Sequence, residues 1–278
     1  MSTLAKRNVL PGFGLTLGLT LTWLSILILI PLAGLFLKTT ELSIGEFIET
    51  VTSRRTLHAL SISFGIALAA AVVNLIAGVI VVWALVRYRF PGQRLFDAIV
   101  DIPFALPTAV AGVALSALFS ERGWLGAPLA WLGIKVSFTP LGIFVAMIFI
   151  GIPFVVRTVQ PVLADLEPEL EEAAASLGAR RWQIVTKVIV PSLTPAILTG
   201  FALAFARAVG EYGSVIFIAG NLPNVSEIAP LLIVIRLSEF RYADATAIAV
   251  VMLVVAFVII FLINRIQRWA ETRGAQNH

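Results

Sequence analysis

Cysteine is absent from the 278 residues, which excludes disulfides, thiolate-held metals and cysteine nucleophiles and leaves the redox compartment unspecified. Histidine occurs only at His58 and His278, too little for a histidine-based metal centre. Charge is scarce: 13% of residues are charged, against 59% hydrophobic, and mean hydropathy is +0.98. That balance excludes an ordinary soluble domain and defines an integral membrane protein. A phosphate-cradling G-x-x-x-x-G-K-[ST] loop is missing too, so the chain carries no ATP-hydrolysing site of that kind. The net charge of +4 and the isoelectric point near 9.8 reflect membrane topology, with basic residues gathered in cytoplasmic loops, rather than nucleic-acid binding.

What is present is a series of long apolar runs. Crossing about 30 Å of hydrocarbon takes roughly 20 mostly apolar residues. Six runs meet that length, at about 15–37, 57–86, 98–119, 138–159, 193–219 and 244–264. They lack the strict alternation of a barrel, so each is expected to be helical, with its backbone groups satisfied within the segment. The first run exceeds a signal-peptide core and has no small-residue cleavage site after it, so it is expected to be retained. No internal repeat, low-complexity tract or second soluble domain interrupts residues 1–278, which read as one all-α membrane domain.

Basic residues set the orientation. With the N-terminus inside, the cytoplasmic set holds Lys6, Arg7, Arg87, Arg89, Arg94, Arg157, Arg180, Arg181, Lys187, Arg265, Arg268 and Arg273. The outer set is smaller: Lys38, Arg54, Arg55, Arg122, Lys135, Arg236 and Arg241. The excess predicts that both termini are cytoplasmic. The stretch RYRFPGQR between the second and third runs is the clearest local signal, with three Arg, a Pro-Gly turn and two aromatics at interface depth.

One insert breaks the apolar pattern. Residues 165–191, on the cytoplasmic side in this topology, open with Asp165, Glu167, Glu169, Glu171 and Glu172 around Pro168, a composition suited to the first turn of a helix. Leu170, Ala173, Ala174 and Leu177 recur at helical spacing and give a small-residue face, which Gly178 ends. Trp182, Val185, Val188 and Ile189 form a second apolar face, and Pro191 is expected to close the segment. A helix-turn-helix that presents Ala and Gly outward lets another backbone approach closely, so the insert reads as a docking surface.

The spacing of Glu172-Ala173-Ala174, Gly178, Val188, Val190 and Pro191 resembles the EAA loop, E-A-A-x3-G-x9-I-x-L-P, of the permease subunits of ATP-binding-cassette importers. The chain departs from it only by Val at 188 and 190. The stretches RYRFPG, DIPFALPTAVAG, IPFVVRTVQPVL and GEYGSVIFIAGN extend the likeness over almost the whole chain, to the T-type membrane subunit of sulfate/thiosulfate importers. Molybdate and tungstate permeases are similar in design. The resemblance implies a type I-like permease fold in a bacterial inner membrane. It also implies a second related permease subunit, two ATPase subunits docked on the loop through Glu172, Ala173, Ala174, Gly178 and Pro191, and a periplasmic sulfate- or thiosulfate-binding protein. No cofactor, metal or nucleic acid is implied.

The residues themselves say more about the path. Arg207 and Glu211 lie four apart in the fifth run and share a helix face. At that depth an ionisable group costs on the order of 3 kcal/mol unless it faces protein or water. Two roles fit: Arg207 lends positive potential to an anion path with Glu211 offsetting it, or the two form a structural ion pair between helices. Pro103 and Pro107 free backbone groups in the third run near Thr108, as a kink beside the path or as a packing adjustment with Gly112 allowing close approach. Asp97 and Asp101 at the start of that run suit a helix N-terminus, and Asn74 a hydrogen bond between helices. The run 228–237 is too short to cross and predicts an outer surface helix or a re-entrant element, with Arg236, Glu239 and Arg241 as candidate contacts or solvated charges.

Two other classes fit the residues less well. An intramembrane hydrolase needs a legible nucleophile and base, and Ser61, Ser63 and Ser116 have no such partner. An ion-coupled secondary anion carrier needs several intramembrane carboxylates, whereas Glu211 is the one acid at mid-run.

Overall fold

The computed structural model describes residues 12–275, with side chains through Arg268. Lys6, Arg7 and His278, and the side chain of Arg273, lie outside what is described. In chain order the helices are α1 (Phe13–Thr39), α2 (Ile44–Thr52), α3 (Arg54–Arg87), α4 (Gln93–Val100), α5 (Ile102–Ala105), α6 (Thr108–Leu118) and α7 (Gly126–Trp131). They continue with α8 (Pro140–Ala164), α9 (Pro168–Ser176), α10 (Arg181–Val209), α11 (Val215–Ile218), α12 (Ala229–Ser238) and α13 (Tyr242–Ala275). No strand occurs among the described residues, as expected for an all-α chain.

Five helices are long and apolar enough to cross a membrane: α1, α3, α8, α10 and the 242–268 part of α13. The expected runs at 15–37, 57–86, 138–159 and 244–264 each fall on one of them. The other two expected runs differ. Run 98–119 is not continuous but divides into α4, α5 and α6. Asp101 ends α4, and Leu106 is forced extended by the following Pro107, whose ring excludes the helical region for the residue before it. Run 193–219 is displaced: its helix begins at Arg181 and stops at Val209, where Gly210 caps it. Pro191 therefore lies inside α10 instead of closing the preceding segment. A wide turn over Val185–Ile189, in which the Val190 N–H donates to the Val185 carbonyl, precedes the proline and takes up its missing donor.

Helices α3, α8 and α10 form the core, and small residues bring them together. A Cβ added at Gly78 of α3 would lie 2.9 Å from the Cβ of Val155, and one at Gly151 of α8 would lie 2.1 Å from Nδ2 of Asn74. Without a hydrophobic drive between helices in lipid, this close backbone approach supplies the dispersion that holds them. Asn74 is fully buried and makes the expected inter-helix bond, a long one of 3.5 Å from Nδ2 to the Met147 carbonyl. Within these helices threonine hydroxyls add donors to carbonyls one turn back, Thr199 Oγ1 to Pro195 O at 2.8 Å and Thr158 Oγ1 to Phe154 O at 2.6 Å.

Helix α13 packs on α10 and α12 and carries the C-terminal half of α1. A reciprocal cap starts α2: Ser43 receives the Glu46 N–H, and Glu46 Oε2 receives the Ser43 N–H at 2.8 Å. The Ser43 hydroxyl and backbone hold the Glu46 carboxyl below its ordinary range. Helix α12, expected as a surface helix or a re-entrant element, buries one face through Ala229, Leu231 and Leu232 and leaves Val234 and Leu237 exposed. Ser63 Oγ of α3 accepts the Ala229 N–H at 2.8 Å, and Arg55 grips the buried Glu227 through Nε at 2.7 Å and Nη2 at 2.6 Å, which fixes its start.

Candidate transport site

Helix α9 starts on Pro168 with Glu169 and Glu171 in its first turn. Its end is a Schellman motif: the Gly178 N–H reaches the Ala175 carbonyl at 2.9 Å, and the Ala179 N–H reaches that of Ala174 at 3.0 Å. The motif requires the left-handed conformation at Gly178, whose φ is 84°. The Arg180 N–H then donates to Gln183 Oε1 at 2.8 Å and opens α10. Ile184, Val185 and Ile189 pack inward against the Val82, Leu85 and Leu163 cluster. Trp182 does not join that face: it is 74% exposed, as Leu177 is at 89%. Glu172, Ala173 and Gly178 are exposed and Ala174 half-buried, and nothing stands within 4 Å of a Cβ built at Gly178. The loop is tied to the bundle by an ion pair between Glu171 and Arg87, whose guanidinium also lies 5.6 Å from the Trp83 ring. This edge of the molecule thus presents a rigid, small-residue ridge flanked by an exposed Leu and Trp.

Arg207 and Glu211 do meet, as an ion pair. Glu211, however, is not inside a helix: it sits just beyond the end of α10, 2% exposed. Its Oε1 accepts the Ser214 N–H at 2.8 Å and the Ser214 hydroxyl at 2.9 Å, so the carboxylate organises the turn into α11. Arg207 is about one-third exposed, and beyond Glu211 its guanidinium has no hydrogen-bond partner among the described residues. Pro103 lies in the first turn of α5 and Pro107 is the residue before α6, so each marks a break rather than a kink. The turn after Glu211 is pressed onto α6: a Cβ at Gly112 would lie 2.3 Å from the Ser214 carbonyl oxygen, and one at Gly213 would lie 2.2 Å from Thr108 Oγ1. Gly112→Val is therefore expected to cost about 2 kcal/mol, because its obstacle is backbone and cannot swing aside. Denaturation by sodium dodecyl sulfate in mixed micelles measures this, and an unchanged midpoint would contradict the packing.

The first half of the broken segment holds a cluster that sequence reading missed. Arg157 of α8 spends all five donors: Nε and Nη2 on Asp101 at 2.8 and 2.6 Å, Nη1 on Asp97 and Gln160 at 2.7 and 2.6 Å, and Nη2 also on the Asp97 carbonyl at 2.9 Å. It belongs within α8, not among the cytoplasmic loop cations, and Asp97 and Asp101 serve it rather than a helix terminus. The available signal was a carboxylate pair four apart facing one charge in an apolar run. Around the turn between α12 and α13, Arg236 pairs with Glu239 at 2.8 Å and Arg241 with Asp244, so each of these candidate contacts already has a partner within the chain.

Irregular backbone at membrane depth survives only against protein or a water-lined cavity. A broken helix held at one end by Arg157 on Asp97 and Asp101 and packed farther along against the turn after Glu211, beside a tight core trio and an exposed ridge, fits a multi-pass membrane transport component. The chain belongs to the family described as binding-protein-dependent transport system inner membrane component, whose model matches residues 76–275. It is 48% identical over 267 residues to the sulfate transport system permease protein CysT of Escherichia coli K12, covering 96% of each chain. It is 47% identical over 252 residues to the protein of the same name from Synechococcus elongatus, covering 91% of each. The fold resembles the crystal structure of a bacterial ABC transporter that imports the acidic polysaccharide alginate, at a TM-score of 0.77 and 18% identity over 92% of this chain and 96% of that one.

Proposed function

We propose that this chain is the permease subunit of an ATP-driven importer that carries sulfate or thiosulfate across the bacterial inner membrane. The observation that carries the reading is the 48% identity to a sulfate permease over 96% of both chains. Six crossings are proposed, α5 and α6 forming the broken one with α4 leading into it, and both termini cytoplasmic. Its partners are a second related permease subunit, two ATPase subunits and a periplasmic binding protein for the anion; the chain itself hydrolyses nothing.

The ridge at Glu172, Ala173, Ala174 and Gly178, with Pro191 in the helix behind it, docks the ATPase. ATP-driven closure of the ATPase pair moves the ridge, and α10, continuous from Arg181, carries that motion to Arg207. The path runs along the broken segment past Pro103 and Pro107. There Arg207, with donors left over from Glu211, offers a dianion a weak and reversible contact, which suits a channel whose capture affinity belongs to another protein. Arg207→Ala is expected to lower sulfate flux about fivefold, the loss of roughly 1 kcal/mol of charged hydrogen bonding, with ATPase docking unchanged. Equal flux would return Arg207 to a packing role.

Growth tests the function as a whole. A bacterium lacking its own sulfate permease should grow on sulfate as sole sulfur source when this chain and its partner subunits are supplied. Rescue of a molybdate permease mutant in place of the sulfate mutant would overturn the substrate and favour the molybdate reading.

A further inference from the structure

Helix α4 has two faces. Gln93, Asp97 and the adjoining Asp101 turn toward the bundle, Gln93 donating to the Leu85 carbonyl of α3 at 2.5 Å and Asp97 and Asp101 holding Arg157 of α8. On the opposite side Leu95 is 63% exposed, Phe96 55%, Ile99 46% and Ile102, one residue into the next segment, 41%. At 100° per residue these four positions fall on one stripe, so the stripe points away from the bundle by construction and not by accident of side-chain placement. The segment sits where α3 ends, after Arg87 and the exposed Tyr88, at a membrane boundary.

The flanking charge identifies what covers the stripe. Arg87 is committed to Glu171. Arg89 and Arg94 are exposed and, among the described residues, make no ion pair or hydrogen bond, although Asp97 is only three residues from Arg94. A protein partner would have to bury an apolar stripe beside two unpaired arginines. A bilayer surface offers acyl chains to the stripe and phosphates to the arginines at the depth where the chain already stands.

We propose that α4 is a membrane-surface helix whose apolar stripe lies in the inner leaflet and whose Arg89 and Arg94 bind the phosphates of anionic phospholipids. The leaflet rests on the proposed topology; the lipid contact does not. Because the opposite face of the same short helix holds Arg157, lipid on one side and the α8 cluster on the other fix how the broken segment sits.

The absence of cysteine makes the test direct. Bimane on Ile99→Cys, in the assembled complex in nanodiscs, is to be quenched by brominated phosphatidylglycerol and by brominated phosphatidylcholine in separate titrations. Quenching by both is expected, with a preference for phosphatidylglycerol that falls by about an order of magnitude in Arg89→Ala/Arg94→Ala. No quenching by either lipid would show that protein covers the stripe, and equal quenching would show that the arginines recognise no headgroup; each overturns the proposal. A membrane-impermeant thiol reagent on Arg89→Cys separates the topology: labelling only in inside-out vesicles supports the inner leaflet, and labelling in right-side-out vesicles overturns that assignment whatever the quenching shows.

Discussion

Gly178→Glu is expected to leave the permease folded and in the membrane while ATP-driven uptake falls about tenfold or more, the size of an ordinary coupling free energy between sites. The folding cost is small because the site is open: nothing lies within 4 Å of a Cβ there. What remains is the left-handed backbone, φ 84°, which costs a side chain about 1 kcal/mol. The functional cost is large because Gly178 ends the exposed ridge, and a carboxylate there adds bulk and charge where another backbone must come close. Gly178→Ala separates the two effects. It carries the same strain with neither the bulk nor the charge, and should keep most of the uptake. Loss of the complex from the membrane, with normal coupling in what remains, would place the effect in folding instead.

Arg157→Ala is the second large effect. It removes five donors at once and leaves Asp97 and Asp101, four residues apart, as unpaired like charges beside an apolar helix. Both carboxylates are nearly half exposed, so water offsets part of the loss, and a destabilisation of about 2 kcal/mol is expected. The measurement is the detergent-denaturation midpoint. Arg157→Lys should recover only part of it, since one ammonium cannot fork between two carboxylates and the Gln160 amide. Asp97→Asn/Asp101→Asn should fall between, because amides still accept from the guanidinium. A midpoint for Arg157→Ala equal to the parent's would mean that the cluster holds nothing in place.

The sequence made the long helices legible because twenty or more apolar residues have few alternatives in a membrane, and α1, α3, α8 and α13 fall where expected. The ridge was legible for a different reason. Its Pro168 start, small-residue face and Gly178 stop are local signals that need no tertiary context. Where hydropathy alone guided the reading, it failed in instructive ways. The run 98–119 is apolar enough to look continuous, yet Asp101 and the Leu106-Pro107 step decide its backbone, and hydropathy is blind to both. Pro191 reads as a stop in the sequence, but one wider turn ahead of it suffices to keep α10 going.

The pairings divide in the same way. Arg207 with Glu211 is a four-residue relation and could be read off the chain, although the carboxylate's second role, on Ser214, needed the fold. Arg157 with Asp97 is sixty residues apart and Arg55 with Glu227 is one hundred and seventy-two. No periodicity links such partners. Arg157, grouped with the cytoplasmic cations by the sequence, lies within α8, and its partners could be seen only in the fold.

The most direct test of the account is radiolabelled sulfate uptake into vesicles that hold the co-purified complex and its binding protein, with ATP and the ion gradients controlled separately. Uptake should persist when ionophores collapse the gradients, stop when ATP is withdrawn, and be blocked by excess thiosulfate but barely by molybdate. Uptake that continues without ATP and follows an ion gradient would contradict the account at its centre and make the chain a secondary anion carrier.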